Sequence, residues 1–202
     1  MTERGKDNNY KIFMNENKNL IHFNAPIEEE FTLELIEKLN ELEELELDKS
    51  REIINKLKRN SYISMKEEDY INPILLEIHS NGGFIHDAFS VVDTIRTLKV
   101  PVYTICKGFV ASSATLISLA GKKRFMTKNT FFLIHEIKDE FFGDLSFIKD
   151  CVYNTSTIME HIIDYYQENS SLPKEDIRKH IQNEKYWTSK ECLEYGFIDE
   201  II

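Results

Sequence analysis

Short apolar runs followed by stretches of helical spacing constrain this chain most. Ile74-Leu75-Leu76-Glu77-Ile78 is too short for a helix and ends in His79-Ser80-Asn81-Gly82-Gly83, a turn signal. Such a run reads as a buried strand. Residues 84–98 follow with Ile85, Phe89, Val92, Ile95 and Leu98 at helical intervals. The pattern then repeats: residues 101–106 read as a strand and 110–120 as a helix. Repeated strand–helix units demand right-handed crossovers, which gives an α/β fold with a mainly parallel sheet.

The remaining segments fit around that unit. Residues 10–13 and 20–23 read as short strands, and Ala25-Pro26 as a turn before a helix carrying Phe31, Leu33, Leu35, Ile36, Leu39 and Leu42. Residues 123–126 and 131–134 form two more short strands, and residues 197–202 a last one. A long amphipathic helix spans 144–169, with Leu145, Ile148, Val152, Met159, Ile162, Ile163 and Tyr166 at its apolar positions. Shorter helices cover 173–182 and 189–195, the second closed by Gly196 at its C-terminal turn. Residues 1–18 form a polar N-terminal segment, partly disordered at its start, and 19–202 a single domain. A charged helical insertion at about 44–70 reads as a solvated elaboration.

Bulk properties narrow the classes of function. A net charge of −10 argues against nucleic acid, which calls for a basic face. No run of ~18 apolar residues offers a membrane span, and residues 1–9 lack the apolar core of a secretory signal. Cys106, Cys151 and Cys192 are far apart and lack metal-ligand spacing, so they read as reduced thiols in a cytoplasmic protein.

Chemistry concentrates after the central strands. In Gly108-Phe109-Val110-Ala111-Ser112-Ser113-Ala114, small residues surround a serine at the start of a helix-compatible segment. There a serine is either a helix cap or a nucleophile beside free backbone N–H groups. Gly83 lies at the carboxyl end of the preceding strand, 29 residues before Ser112. Strand ends of an open α/β sheet converge on one crevice, so the N–H groups of Gly83 and Ser113 could face a reacting carbonyl together as an oxyanion hole. Among six histidines, His22, His79, His86, His161 and His180 read as structural or solvated. His135 ends the apolar run Phe131-Phe132-Leu133-Ile134, where a histidine is either a satisfied polar residue at a strand end or a base at the mouth of the crevice. Nothing in the pattern alone selects Glu184 among 35 acidic residues as the carboxylate that would orient it.

These segments, in this order, resemble the ClpP family of serine peptidase subunits of ATP-dependent Clp proteases. Ile78-His79-Ser80-Asn81-Gly82-Gly83 is similar to that family's INSPGG, and the Ser112 segment to its GxAASMG. Phe132-Leu133-Ile134-His135-Glu136 resembles MIHQP, and Glu184-Lys185-Tyr186-Trp187-Thr188 through Glu194-Tyr195-Gly196-Phe197-Ile198-Asp199 resembles DRFLS…EYGLID. The resemblance runs from about Leu20 to Ile202. It implies the ClpP/crotonase-like fold with residues 144–169 as a handle helix. It implies Ser112 as nucleophile, His135 as base, Glu184 as the triad acid and Gly83 and Ser113 as oxyanion-hole donors. It further implies stacked heptameric rings and polypeptide substrates delivered by an AAA+ ATPase. No cofactor is expected in this chain, ATP being used by the partner.

Three positions depart from the family pattern. Glu184 stands where Asp is usual, Asn183 where Arg is common, and residues 136–142 lack a Gly-Gly stretch. The departures leave open a catalytically weak or inactive ring subunit that pairs with active ClpP chains. A viral procapsid-maturation peptidase, or a crotonase-fold acyl-CoA enzyme, would use the same architecture.

Overall fold

The structure, a computed structural model, describes residues 10–58 and 67–202. The expectation of disorder at the extreme N-terminus, and part of the insertion reading, lie outside these residues.

One sheet organises the chain. Strands β1 (Lys11–Asn15), β2 (Leu20–Asn24), β3 (Ile74–Ser80), β4 (Val102–Ala111), β5 (Lys123–Met126) and β8 (Glu200–Ile201) stand side by side in the order β1-β2-β3-β4-β5-β8. Within this order every neighbouring pair from β2 onward is parallel, and the edge strand β1 runs antiparallel to β2. Two further strands, β6 (Phe131–Leu133) and β7 (Trp187–Thr188), branch off: β6 pairs with β4, and β7 with β6. Lys11–Asn15, within the polar N-terminal segment, is therefore part of the sheet.

The predicted buried strands are covered on one face. Ile21 and Phe23 of β2, Ile74, Leu76 and Ile78 of β3, and Val102 of β4 share one apolar cluster with helix α1 (Glu29–Lys58) and helix α2 (Ile85–Thr97). Leu35, Leu39 and Leu42 contribute from α1, and Val91, Val92 and Ile95 from α2. On the opposite face of β3, Glu77 binds His22 Nδ1 and Lys107 Nζ, each at 2.5 Å. Polar contacts across strands occupy this face, which is partly open to water, and β3 accordingly alternates in burial rather than being apolar throughout.

Helix α1 does not stop where the charged segment begins. It continues to Lys58, and Glu46, Ser50 and Ile54 within that segment are buried. Glu46 explains the continuity. Its Oε2 accepts from Asn19 Nδ2 at 2.6 Å, and its Oε1 from the Asn72 backbone N–H at 2.9 Å and from Asn72 Nδ2 at 2.7 Å. One carboxylate thus ties the helix to the start of β2 and the approach to β3.

Two predicted boundaries move. The helix expected over 110–120 is α3 (Ala114–Leu119), because β4 runs on through Val110 and Ala111, which pair with β6. The closing strand is only β8, since Phe197 and Ile198 leave helix α6 (Ser189–Glu194) into the core instead. Helix α5 (Lys174–Ile181) lies close to expectation. So does α4 (Leu145–Glu168), where the Asp144 carboxylate accepts the Phe147 N–H as an N-cap. Only the second half of α4 packs inward, through Ile162, Ile163, Tyr165 and Tyr166; Leu145, Phe147, Val152 and Tyr153 are exposed. No helix among the described residues is long and apolar enough to cross a membrane.

Glu46 makes stability depend on pH. Burial pushes its carboxyl upward, but hydrogen bonds from Asn19 and Asn72 and the Lys49 charge outweigh this and hold it below its ordinary value. A lowered folded value means the network contributes fully above the ordinary carboxylate range and is lost as pH falls through that lowered value. Glu46→Ala, which strands Asn19 and Asn72, should lower unfolding stability by about 1–3 kcal/mol at neutral pH. Urea unfolding checks this, and the difference from the parent protein should shrink at acid pH.

Candidate active site

The site begins with a bulge in β4. Ile78 pairs with Cys106 but Ser80 pairs with Val110, so β4 carries extra residues opposite β3. The His79 ring fills the detour: its Nδ1 lies 3.1 Å from the Lys107 carbonyl and 3.2 Å from the Phe109 N–H. A Cβ on Gly108, whose φ is +66°, would sit 2.6 Å from that ring nitrogen. Bulges bend a strand and change its neighbour. Before this one, Tyr103–Cys106 pairs with β5; after it, Phe109–Ala111 pairs with β6.

The change of neighbour brings Ser112 and His135 to one place. Ala111 and Leu133 are the last paired residues, and the Ser112 N–H donates to the Leu133 carbonyl at 2.9 Å. His135 follows two residues later. Ser112 and His135 line the same cavity of about 340 Å³, together with Gly83, Ser113, Lys138, Ile158, Ile162 and Tyr166.

Ser112 is a sharp turn rather than a helix cap. Its φ is +55°, a left-handed conformation that costs an L-residue roughly 1–2 kcal/mol. Anchors on both sides hold it. Its carbonyl accepts from Thr115 Oγ1 at 2.5 Å, and that hydroxyl also meets Tyr166 Oη at 2.7 Å. Gly82, with φ +88°, lies so close that a Cβ there would stand 2.6 Å from Ser112 Cβ.

The expected oxyanion donors are oriented by their surroundings. Phe84 N–H donates to the Ile27 carbonyl at 2.7 Å, and Ile27 N–H to the Gly82 carbonyl at 2.9 Å. This bracket holds Gly83, while Ser113 Oγ donates to the Gly83 carbonyl at 3.0 Å. Among the described residues, neither the Gly83 N–H nor the Ser113 N–H has a hydrogen-bond partner. Two such donors beside one hydroxyl can stabilise an oxyanion.

Glu184 lies near this group but is turned elsewhere. β7 pairs antiparallel with β6, Phe132 opposite Trp187, and the turn that holds Glu184 leads into β7, near enough for the charge of His135 to act on the carboxylate. The carboxylate, however, pairs with Lys138 Nζ at 2.8 Å. Its pKa is lowered first by the hydrogen bond from Lys138, against some desolvation, then by the charges of Lys138 and His135. His135 Nδ1 meets the Glu136 carbonyl at 2.5 Å. A ring N–H donated there leaves Nε2 as the free basic nitrogen.

Sequence reasoning missed Lys138, the Thr115–Tyr166 pair and the fixing role of Ser113 Oγ. Lys138 had one usable signal, a lysine three residues after the candidate base. The others depend on distant parts of the chain. The cysteines stay out of the site: Cys106 and Cys192 are buried free thiols, and burial pushes Cys106 up to about 12 and Cys192 upward as well.

Backbone strain at Ser112 gives a direct test. Ser112→Gly should be more stable than Ser112→Ala by about 1 kcal/mol, because glycine takes positive φ without the Cβ penalty. Chemical denaturation of the two variants, side by side, measures the difference.

Comparison with known proteins accounts for the arrangement. The family model described as Clp protease matches residues 42–202. An ATP-dependent Clp protease proteolytic subunit from Streptococcus sanguinis is 32% identical over 142 residues, covering 67% of this chain and 71% of the relative. The subunit of the same description from Deinococcus radiodurans is 28% identical over 131 residues, 64% of each chain. In fold, a mutant of ClpP1 from Listeria monocytogenes superposes with a TM-score of 0.74 at 23% identity, covering 93% of this chain and 92% of that one. With the family model spanning most of its length and the sheet, bulge and cavity in place, the chain belongs to the Clp protease family.

Proposed function

We propose that Ser112, His135 and Glu184 are the triad with which this chain, a serine endopeptidase of the Clp type, cleaves polypeptides. One observation carries the assignment: paired strands deliver Ser112 and His135 to a cavity where the Gly83 and Ser113 N–H groups have no partner among the described residues. Ser112 Oγ attacks the scissile carbonyl while His135 Nε2 takes its proton. The two N–H groups receive the developing oxyanion, His135 returns the proton to the leaving amine, and water then hydrolyses the acyl-enzyme. For Glu184 to hold the imidazole, it exchanges Lys138 for His135 Nδ1, and the ring gives up the Glu136 carbonyl.

Assembly and supply follow from the same reading. The exposed apolar residues Leu145, Val152 and Tyr153 on the first half of α4 support contact between subunits, in heptameric rings that stack. An AAA+ ATPase of the Clp kind supplies unfolded chains and uses the ATP, so this chain needs no cofactor of its own. The three unpaired thiols suit a reducing cytoplasm. A second reading, a ring subunit of low intrinsic activity that works beside other ClpP chains, draws on the Lys138–Glu184 pair.

Assay of the purified homomeric particle separates these readings. A fluorophosphonate should label Ser112, and Ser112→Ala should abolish both labelling and peptide hydrolysis. No labelling of an assembled sample rejects the active-enzyme reading. Glu184→Ala should cut kcat by roughly 10²–10⁴-fold with particle mass unchanged.

A further inference from the structure

Glu184 has two claimants. It sits at a left-handed turn, with φ +43°, close enough to His135 that the charge of that ring acts on its carboxylate. Its carboxylate nevertheless binds Lys138, which comes three residues after His135 and lines the same cavity as Ser112. With the acid so engaged, His135 Nδ1 turns to the carbonyl of its own neighbour, Glu136.

We propose that Lys138 is a positioning residue that withholds Glu184 from His135, so that turnover runs from the fraction of subunits in which this ion pair has opened. The inference rests on the triad reading above and adds a regulator to it. Three observations support it. The pair is a direct contact at 2.8 Å, and among the described residues the Glu184 carboxylate makes no hydrogen bond to His135 while it is held there. The Lys138 and Glu184 side chains are 68% and 49% exposed, so water and salt reach the pair and can open it. The ring nitrogen that would face a triad acid already has another acceptor, which lets the site rest in the withheld arrangement.

The size of the effect follows from that exposure. An exposed ion pair shifts an equilibrium by a factor of up to about five. Lys138 therefore acts as a rheostat on kcat rather than as an on–off switch. Substrate contacts elsewhere in the cavity are unchanged, so KM stays the same. Screening the pair should have the effect of removing it.

The test compares Lys138→Met and Lys138→Arg with the parent particle, by peptide hydrolysis at low and at high sodium chloride. Lys138→Met should raise kcat about two- to fivefold at low salt with KM unchanged. The parent's kcat should climb toward that value as salt is added, while the methionine variant stays flat. Lys138→Arg keeps the cation and should retain the salt response. Particle mass, measured for every sample, excludes a change of assembly as the cause. An unchanged or lower kcat in Lys138→Met overturns the proposal. So does a raised KM, which would make Lys138 a substrate contact, or an equal salt response in both proteins. Glu184→Ala separates the two levels. Parental turnover in that variant would sink the triad reading itself, whereas a large loss there with no gain in Lys138→Met would sink only the role of Lys138.

Discussion

The His79-filled bulge in β4 is the constraint on which the rest of the site depends. A regular strand keeps one neighbour along its length. Here the detour at Lys107-Gly108-Phe109 hands β4 from β5 to β6. Without that handover, Ser112 would emerge beside β5, away from Leu133 and His135. A histidine ring fills the detour, its Nδ1 within hydrogen-bond distance of the Lys107 carbonyl and the Phe109 N–H and bonded to one or the other according to its tautomer. His79, expected to be structural or solvated, is exposed and lies in the detour.

Strain and anchoring are balanced around the serine. A left-handed φ at Ser112 turns the chain at once from β4 toward α3 at the wall of the cavity, at a cost the surrounding bonds must offset. The Leu133 carbonyl holds the residue's N–H, and Thr115 with Tyr166 holds its carbonyl. Tyr166 comes from α4, so the long helix contributes to the site as well as to the outer surface. Its inner half supports the elbow, and its outer half stays free of the core.

Much of this was legible in sequence, and the reasons differ by element. The run Ile74–Ile78, the helix α2 and the long helix α4 announced themselves because apolar period follows secondary structure. The glycines at 82 and 83 marked a turn after β3, and both take positive φ, Gly82 lying against Ser112 Cβ. The end of β4 was misjudged, because Val110-Ala111 suits a helix locally and only pairing with β6 makes it strand. β7 went unseen for the same reason, being two residues whose conformation is set by a partner. Glu46 was hidden inside a charge run, since composition does not tell which carboxylate meets two asparagines.

The amino-acid sequence by itself determined the parallel α/β class, the order of the elements and the candidate residues Gly83, Ser112, Ser113 and His135. It could do so because local apolar period and turn chemistry are written residue by residue. Family resemblance added Glu184. Only the tertiary structure decided where that carboxylate points. Lys138 and His135 are both within its neighbourhood, and a choice between two partners depends on distances that strand register and turn geometry set together. The same holds for the strained Ser112 backbone, whose conformation is imposed by Leu133, Thr115 and Tyr166 rather than by the residues beside it.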